Sequence, residues 1–393
     1  MVKNKTGRWH PSQENDELIF SVCDHFLSQL GESCSDGDSM NTERERKGAA
    51  AAVAEWLKKK YGRTDLTREK IYPLFWEALR RNFIRLQPPV ENILQKKLME
   101  HFHLEDYSGQ ISIVNVKGTS ASLSVTSVAA DQIIALIDQV AEEKRKQAVL
   151  EGKDPNNIQV HLGMGAGYAS MLVAKRLANR SNFGEMPPSL VLHAISSGGF
   201  FIDEPHKVPT TYFSYFHETQ VNVQYVALFS ETVIHKDEYE KIKSNPGLRR
   251  CFERKNEIDI IVTSLADAEH EHGLLGQYLS YLMTEGLIQD DVIHRMKEVG
   301  WVGDVQFRPY SKEGPLKEVC PVRAVALFEL EEMVQFARQQ GKHIVLIGGP
   351  CGECGSLKTK ALRPLLQNEN LRLWTHLITD VQTARELLTD EKT

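Results

Sequence analysis

Residues 161–170, HLGMGAGYAS, decide how the chain reads. The apolar run IQVHLG (158–163) leading into them has the length of a buried strand, and residues 169–179 behind them carry apolar side chains at helical spacing. Between strand and helix stand Gly163, Gly165 and Gly167, spaced to let the backbone turn tightly and approach an anion at the helix start. Close packing of helix on strand explains such glycines almost as well. The dinucleotide fingerprint is incomplete, because Tyr168 stands where its last glycine belongs and no acidic residue closes a second strand about twenty residues on. No nicotinamide or other cofactor is expected.

Working outward, the same alternation recurs. Strand patterns are ISIVNV (111–116), SLVLHAI (189–195), VNVQYVALF (221–229), IDIIVTS (258–264), VGDVQF (302–307), VRAVALF (322–328), HIVLIGG (343–349) and LWTHLIT (373–379). Helical patterns at 130–150, 236–254, 330–340 and 357–366 separate most of them. Strands alternating with helices predict a doubly wound α/β domain on a mostly parallel sheet, with ligands bound outside the carboxyl ends of the strands. Two more glycine turns fall at such ends: SSGG (196–199), with Gly198 and Gly199, and GGP (348–350), followed by Lys358 and Lys360 near a helix start. A cation beside free helix N–H groups suits a phosphate, although lysine on a helix is most often a solvated side chain.

Two polar clusters remain. ADAEHEHG (266–273) gathers Asp267, Glu269, His270, Glu271 and His272 after a strand, as the wall of a ligand crevice or as a solvated loop; its histidines do not match H-E-x-x-H. Cys351 and Cys354 form a single C-x-x-C without a second pair, half a zinc site at best, so no metal is expected.

Upstream the chain changes character. A helix over 14–30 (Leu18, Ile19, Val22, Phe26, Leu30) leads into the polar stretch GESCSDGDSMNTERE (31–45), which has too little apolar surface to order itself. Residues 42–97 hold 14 Lys/Arg against 7 Asp/Glu, net +7, so the remainder of the 393 residues carries 33 against 46, net −13, within a total of −6. A basic segment on an acidic body suggests a polyanion as partner of the segment alone; a solvated helical face around the lysines at 58–60 is the other reading. The expected division is a helix plus linker at 1–45, a basic helical domain at 46–104 and the α/β domain at 105–393. Six dispersed cysteines, no signal-peptide pattern and no apolar run of membrane-spanning length place the protein in the cytoplasm, away from membranes.

In order along the chain, GMGAGYA, ISSGG, IDIIVTSLAD, VGDVQF, IGG with LKTKAL, and HLITDVQTARELL resemble the motifs of the SorC family of sugar-sensing transcriptional regulators. The likeness runs from about residue 110 to the C-terminus and is most specific at 377–388. It implies a fold related to sugar-phosphate isomerases and deaminases, used to bind a phosphorylated sugar without turning it over. By position, the Gly163/Gly165/Gly167 loop and Lys358 would hold phosphate, with Asp267 and Glu269 near the sugar hydroxyls. The family threonine that grips phosphate falls at Ala169, between Tyr168 and Ser170, and Ser170 is the candidate substitute.

The resemblance also implies an N-terminal winged helix-turn-helix. Residues 67–86, TREKIYPLFWEALRRNFIRL, match its recognition helix and following strand in length and apolar spacing, with Arg68, Lys70, Arg80, Arg81 and Arg85 as phosphate contacts. Pro73 interrupts that element, so either the helix begins there or the element is broken. The expected protein is a sugar-phosphate-responsive regulator, a homodimer or homotetramer, with DNA binding resting on the N-terminal part. An enzyme using Asp267, Glu269 or His270 on the related scaffold, and a sensor whose N-terminal part meets another protein, are the alternatives.

Overall fold

The structure, a computed structural model, describes residues 9–34, 42–81, 83, 89–116, 121–181, 189–197, 204–217, 219 and 221–389. They fall into two units, Met1–Leu86 and Gln87–Thr393. The boundary lies after Leu86, not near residue 104 as the sequence suggested, because the helix that follows the prolines packs on the sheet of the second unit.

The first unit is helical: α1 (Asp16–Cys34), α2 (Thr42–Tyr61) and α3 (Arg68–Arg80). Leu18, Ile19, Val22 and Phe26 of α1 meet Ala50, Val53 and Leu57 of α2 and Ile71, Leu74 and Ala78 of α3 in one core. Each set recurs every three or four residues, which puts one stripe per helix against the others. The segment 1–45 therefore has no separate existence, since α1 supplies a third of this core. Pro73 lies inside α3, which starts five residues before it and runs on past it. Neither outcome expected from the proline is realised; the helix tolerates the lost N–H and stays continuous.

The second unit opens with α4 (Asn92–His101), β1 (Gln110–Val114), α5 (Ala121–Leu150), β2 (Val160–Met164), α6 (Tyr168–Ser181), β3 (Ser189–Ala194), α7 (Pro209–Tyr212) and β4 (Asn222–Val226). It continues through β5 (Val233–His235), α8 (Tyr239–Lys243), α9 (Pro246–Glu253), β6 (Ile260–Asp267), α10 (Leu274–Thr284), α11 (Val292–Glu298), β7 (Gly303–Val305), β8 (Arg308–Tyr310) and β9 (Val322–Ala324). Last come α12 (Leu330–Ala337), β10 (His343–Ile347), α13 (Thr359–Gln367), β11 (His376–Asp380) and α14 (Val381–Leu387).

The main sheet runs β1-β11-β10-β6-β2-β3-β4, and every one of these pairings is parallel. The doubly wound α/β reading holds. β7 and β8 add an antiparallel hairpin to the end of β6, and β5 pairs with β9 in a small sheet of its own. From β2 the chain moves outward through β3 and β4, then returns to β6 on the other side of β2 and moves outward through β10 and β11. Loops after β2 and β6 therefore diverge, leaving a crevice at their carboxyl ends.

Helix α5 is long and apolar enough to cross a bilayer by length and composition, a span the sequence reading did not single out. Its Val125, Ala129, Ile133, Ile137 and Val140 are buried in the core of the α/β unit, and 61% of its apolar window is covered by protein. A crossover helix from β1 to β2 over three intervening strands has to be apolar on a wide face.

Candidate functional site

The crevice between β2 and β6, extended by the end of β10, holds a cavity lined by Gly167, Tyr168 and Ala169 at the start of α6 and by Lys358 at the start of α13. Lys207, Asp304, Gln306 and Glu353 complete its polar wall. Among the described residues the amide N–H groups of Tyr168, Ala169 and Ser170 make no backbone bond, as expected for the first turn of a helix. They leave the positive end of a fourteen-residue helix at the cavity.

The three glycines of the loop divide their work. Only Gly167 lines the cavity, and its φ of +117° lies where a side chain is strained, so it turns the chain into α6. A β-carbon at Gly165 would collide with the carboxamide of Gln306, and one at Gly163 would meet Ile195 at 2.8 Å. Those two glycines make room for neighbours. Tyr168 lines the cavity, as does Ala169, where the family threonine would stand. Ser170 is fully buried outside the lining, its hydroxyl without a partner. Gly198 and Gly199 lie outside the described residues.

Lys358 is the cation of the site. Its Nζ donates to the Leu265 carbonyl at 2.9 Å, and no carboxylate among the described residues comes within ion-pair distance. Desolvation draws its pKa below the ordinary lysine value. Lys207, by contrast, is already matched: its ammonium bonds to Glu204 and, at 3.0 Å, to Glu353, which also receives His272 Nδ1 at 2.9 Å. Burial raises the Asp304 carboxyl to about 7, against the one bond its Oδ1 accepts from the Phe307 amide.

Gln306 carries the least expected feature. It and Phe307 form the two-residue turn between β7 and β8 with φ of 51° and 60°, both left-handed and neither glycine. Such conformations cost about 1–2 kcal/mol each and persist where surrounding structure enforces them. Here the turn drives Gln306 under the β2 loop, where its Nε2 donates to Thr263 Oγ1 at 2.5 Å and its buried Oε1 has no partner. Sequence reasoning did not single out Asp304, Gln306 or Lys207; Asp304 and Gln306 fall within VGDVQF (302–307), read as a strand and a family-like motif, whose last two residues form the turn.

The acidic candidates sit elsewhere. Asp267 is buried and does not line the cavity; its Oδ1 accepts the Glu269 amide at 2.9 Å, and desolvation raises its pKa. Glu269 is exposed and pairs with Lys360. The most family-like segment, HLITDVQTARELL, is structural: Asp380 caps α14 by accepting the Gln382 and Thr383 amides at 2.8 and 3.1 Å, and Thr379 donates to the Gly348 carbonyl.

In the first unit, Arg68 is exposed on the first turn of α3. Lys70 bonds to the Asp65 carbonyl at 2.8 Å and lies over the Trp9 ring. Arg81 is pinned by Glu77, Asp16 and the carbonyls of Ser12 and Glu14. The side chain of Arg80, Arg85 and the strand expected to follow them lie outside the described residues.

No protein-family model and no curated protein matches this sequence. Among solved structures, a probable sor operon regulator from Shigella flexneri aligns at 13% identity and TM-score 0.51, covering 76% of this chain and 99% of its own. The full-length sorbitol operon regulator SorC from Klebsiella pneumoniae aligns at 12% identity and TM-score 0.49 over 95% of this chain and 100% of its own. A DeoR family transcriptional regulator from Listeria monocytogenes aligns at 15% identity and TM-score 0.48, over 75% and 98%. The likeness to the Shigella flexneri protein is one of fold: the chain carries the α/β fold of that probable sor operon regulator.

Proposed function

We propose that the α/β unit binds a phosphorylated sugar, or a related phosphorylated metabolite, as an effector, and that the chain is a transcriptional regulator whose first unit contacts DNA. The observation that carries this reading is Lys358. A desolvated ammonium group that donates to one carbonyl and feels the Asp304 and Asp267 carboxyls only from beyond ion-pair distance, set beside the open N–H groups of α6, suits an anionic ligand; taking a cation out of water costs several kcal/mol unless a counter-charge offsets it. Gln306 Oε1 and the Asp304 carboxyl add polar partners for hydroxyl groups. The fold of the Shigella flexneri regulator supports the same reading.

An effector moves such a regulator only by its difference in affinity for the DNA-competent and incompetent states. Operator symmetry would match a homodimer or homotetramer. A thermal-shift screen with sugar phosphates, the corresponding free sugars and inorganic phosphate tests the cavity: at about 100-fold over its dissociation constant a ligand stabilises the native state by roughly 2.7 kcal/mol. Stabilisation by free sugars as strong as by their phosphates would overturn the anion site. Anisotropy titration against the upstream DNA, with affinity falling steeply as salt is added, tests the first unit.

A second reading has one observation in its favour. Asp304, whose carboxyl burial raises to about 7, is suited to moving a proton on a bound sugar phosphate. Turnover of a bound ligand, abolished by Asp304→Asn, separates catalysis from sensing.

A further inference from the structure

We propose that His270, Cys351 and Cys354 form a zinc site at the rim of the cavity. β6 and β10 are neighbouring parallel strands, so the loops leaving their carboxyl ends lie side by side. One carries His270 and the other the C-x-x-C pair. Their donor atoms all lie within 4.8 Å of one another, with His270 Nε2 2.9 Å from Cys354 Sγ. Tetrahedral zinc, with sulfur at about 2.3 Å and nitrogen at about 2.0–2.1 Å, places its donors about 3.5–3.8 Å apart, so side-chain rotations that move the donors by up to about 1 Å close the site. Two thiolates with an imidazole are a borderline-soft set that zinc satisfies and that magnesium or calcium does not.

The cysteine loop is shaped for holding a metal. Cys351 N–H donates to Ser356 O at 2.9 Å and Gly355 N–H to Cys351 O at 3.0 Å, a closed turn that needs the left-handed φ of +75° at Gly355. The Ser356 amide points at Cys354 Sγ, 3.4 Å away, a donor that stabilises a thiolate. Binding through Nε2 moves the ring proton to Nδ1, with no proton released, and breaks the long 3.2 Å contact from the His272 amide; the protons that binding releases are those of the two thiols.

Three protein donors leave the fourth position to water or to a ligand oxygen. Cys351 and Glu353 belong to the cavity wall, and Glu353 holds Lys207 and His272, so a metal here fixes the loop that forms one side of the cavity. The metal site stands whether or not the cavity takes a sugar phosphate.

The test uses the full chain, fully reduced and stripped of metal, then titrated with cobalt(II) and zinc. The expected result is one cobalt per chain, with thiolate charge-transfer absorption and the intense visible bands of a tetrahedral ion, displaced by one zinc. Cys354→Ser, at an exposed position, and His270→Ala abolish the stoichiometric step while circular dichroism stays that of the parent; His294→Ala, at an exposed histidine elsewhere, leaves it intact. Absence of a saturable cobalt spectrum in the parent, or an unchanged titration in Cys354→Ser, overturns the proposal. So does a native Cys351–Cys354 disulfide that persists in protein purified without oxidant and returns after reduction in preference to metal.

Discussion

At the scale of single residues, how a buried charge is partnered is the informative feature. Lys207 is ion-paired to Glu204 and Glu353, whereas Lys358 has no carboxylate within ion-pair distance among the described residues and feels Asp304 and Asp267 only from farther off, a difference that is tertiary. Replacing Lys358 by methionine removes a desolvated cation and one charge-assisted bond to phosphate. Lys358→Met is expected to raise the melting temperature of the ligand-free protein and to weaken a phosphorylated ligand by about 1.5–3 kcal/mol, roughly ten- to hundred-fold, with little change for its free sugar; calorimetry on both ligands checks it. Buried histidines set the response to acid. Desolvation lowers His376 to about 4 and His193 to about 3, against the ordinary 6.5. Their unfolded forms bind protons first, so each contributes stability that is present above pH 6.5 and is lost as pH falls through 6.5 toward the folded value. Asp304, raised to about 7 from 3.8, acts in the opposite sense and costs stability as pH rises from about 4 to 7. His376→Gln is expected to reduce the loss between pH 7 and pH 5 by about 2 kcal/mol, and Asp304→Asn to steepen it; urea unfolding at the two pH values measures both.

At the scale of elements, α3 and the β7–β8 hairpin show sequence signals overruled by their surroundings. A proline inside a helix costs about 3 kcal/mol relative to alanine in an exposed peptide, yet α3 runs through Pro73 because Ile71, Leu74 and Ala78 are locked into the three-helix core. Pro73→Ala restores an N–H toward the Glu69 carbonyl and should stabilise the first unit by about 1–3 kcal/mol; a lower denaturation midpoint for the variant would count against this account. The arginines expected to meet phosphates also part company. Arg81 is spent on Glu77 and Asp16, whereas Arg68 is exposed. If the first unit binds DNA, Arg68→Ala should weaken it on all sequences alike and lower the slope of log affinity against log salt by about one. Strand positions were legible for the opposite reason: a strand buried on both faces must be apolar along its length, as LVL (190–192), IIV (260–262) and IVLI (344–347) are.

At the scale of the whole molecule, the charge division seen in the composition does not coincide with the two units: residues 1–86 hold 15 Lys/Arg against 13 Asp/Glu, net +2, which leaves −8 for residues 87–393. The basic excess counted over 42–97 therefore spans the end of one unit and the start of another, and Lys96 and Lys97 belong to α4 of the α/β unit. Because the second unit has its own core and contains every strand of the main sheet, residues 87–393 expressed alone should fold cooperatively and bind the ligand with the affinity of the full chain. A tenfold loss of affinity on removing residues 1–86 would mean that the first unit contributes to the site.

Sequence alone determined the doubly wound α/β architecture, the helical first unit and the neighbourhood of the cavity, because apolar periodicity and glycine turns are local consequences of burial and backbone sterics. The glycine loop after the second strand and a lysine near a helix start were legible as local pattern, and the structure has Gly167 before α6 and Lys358 at the start of α13. Only the tertiary structure decided that Gly165 serves Gln306, that Asp380 caps a helix, and that His270 meets Cys351 and Cys354. Those pairings join residues tens or hundreds of positions apart through strand order, and strand order is settled by how helices and sheet bury their faces together, which no local pattern records.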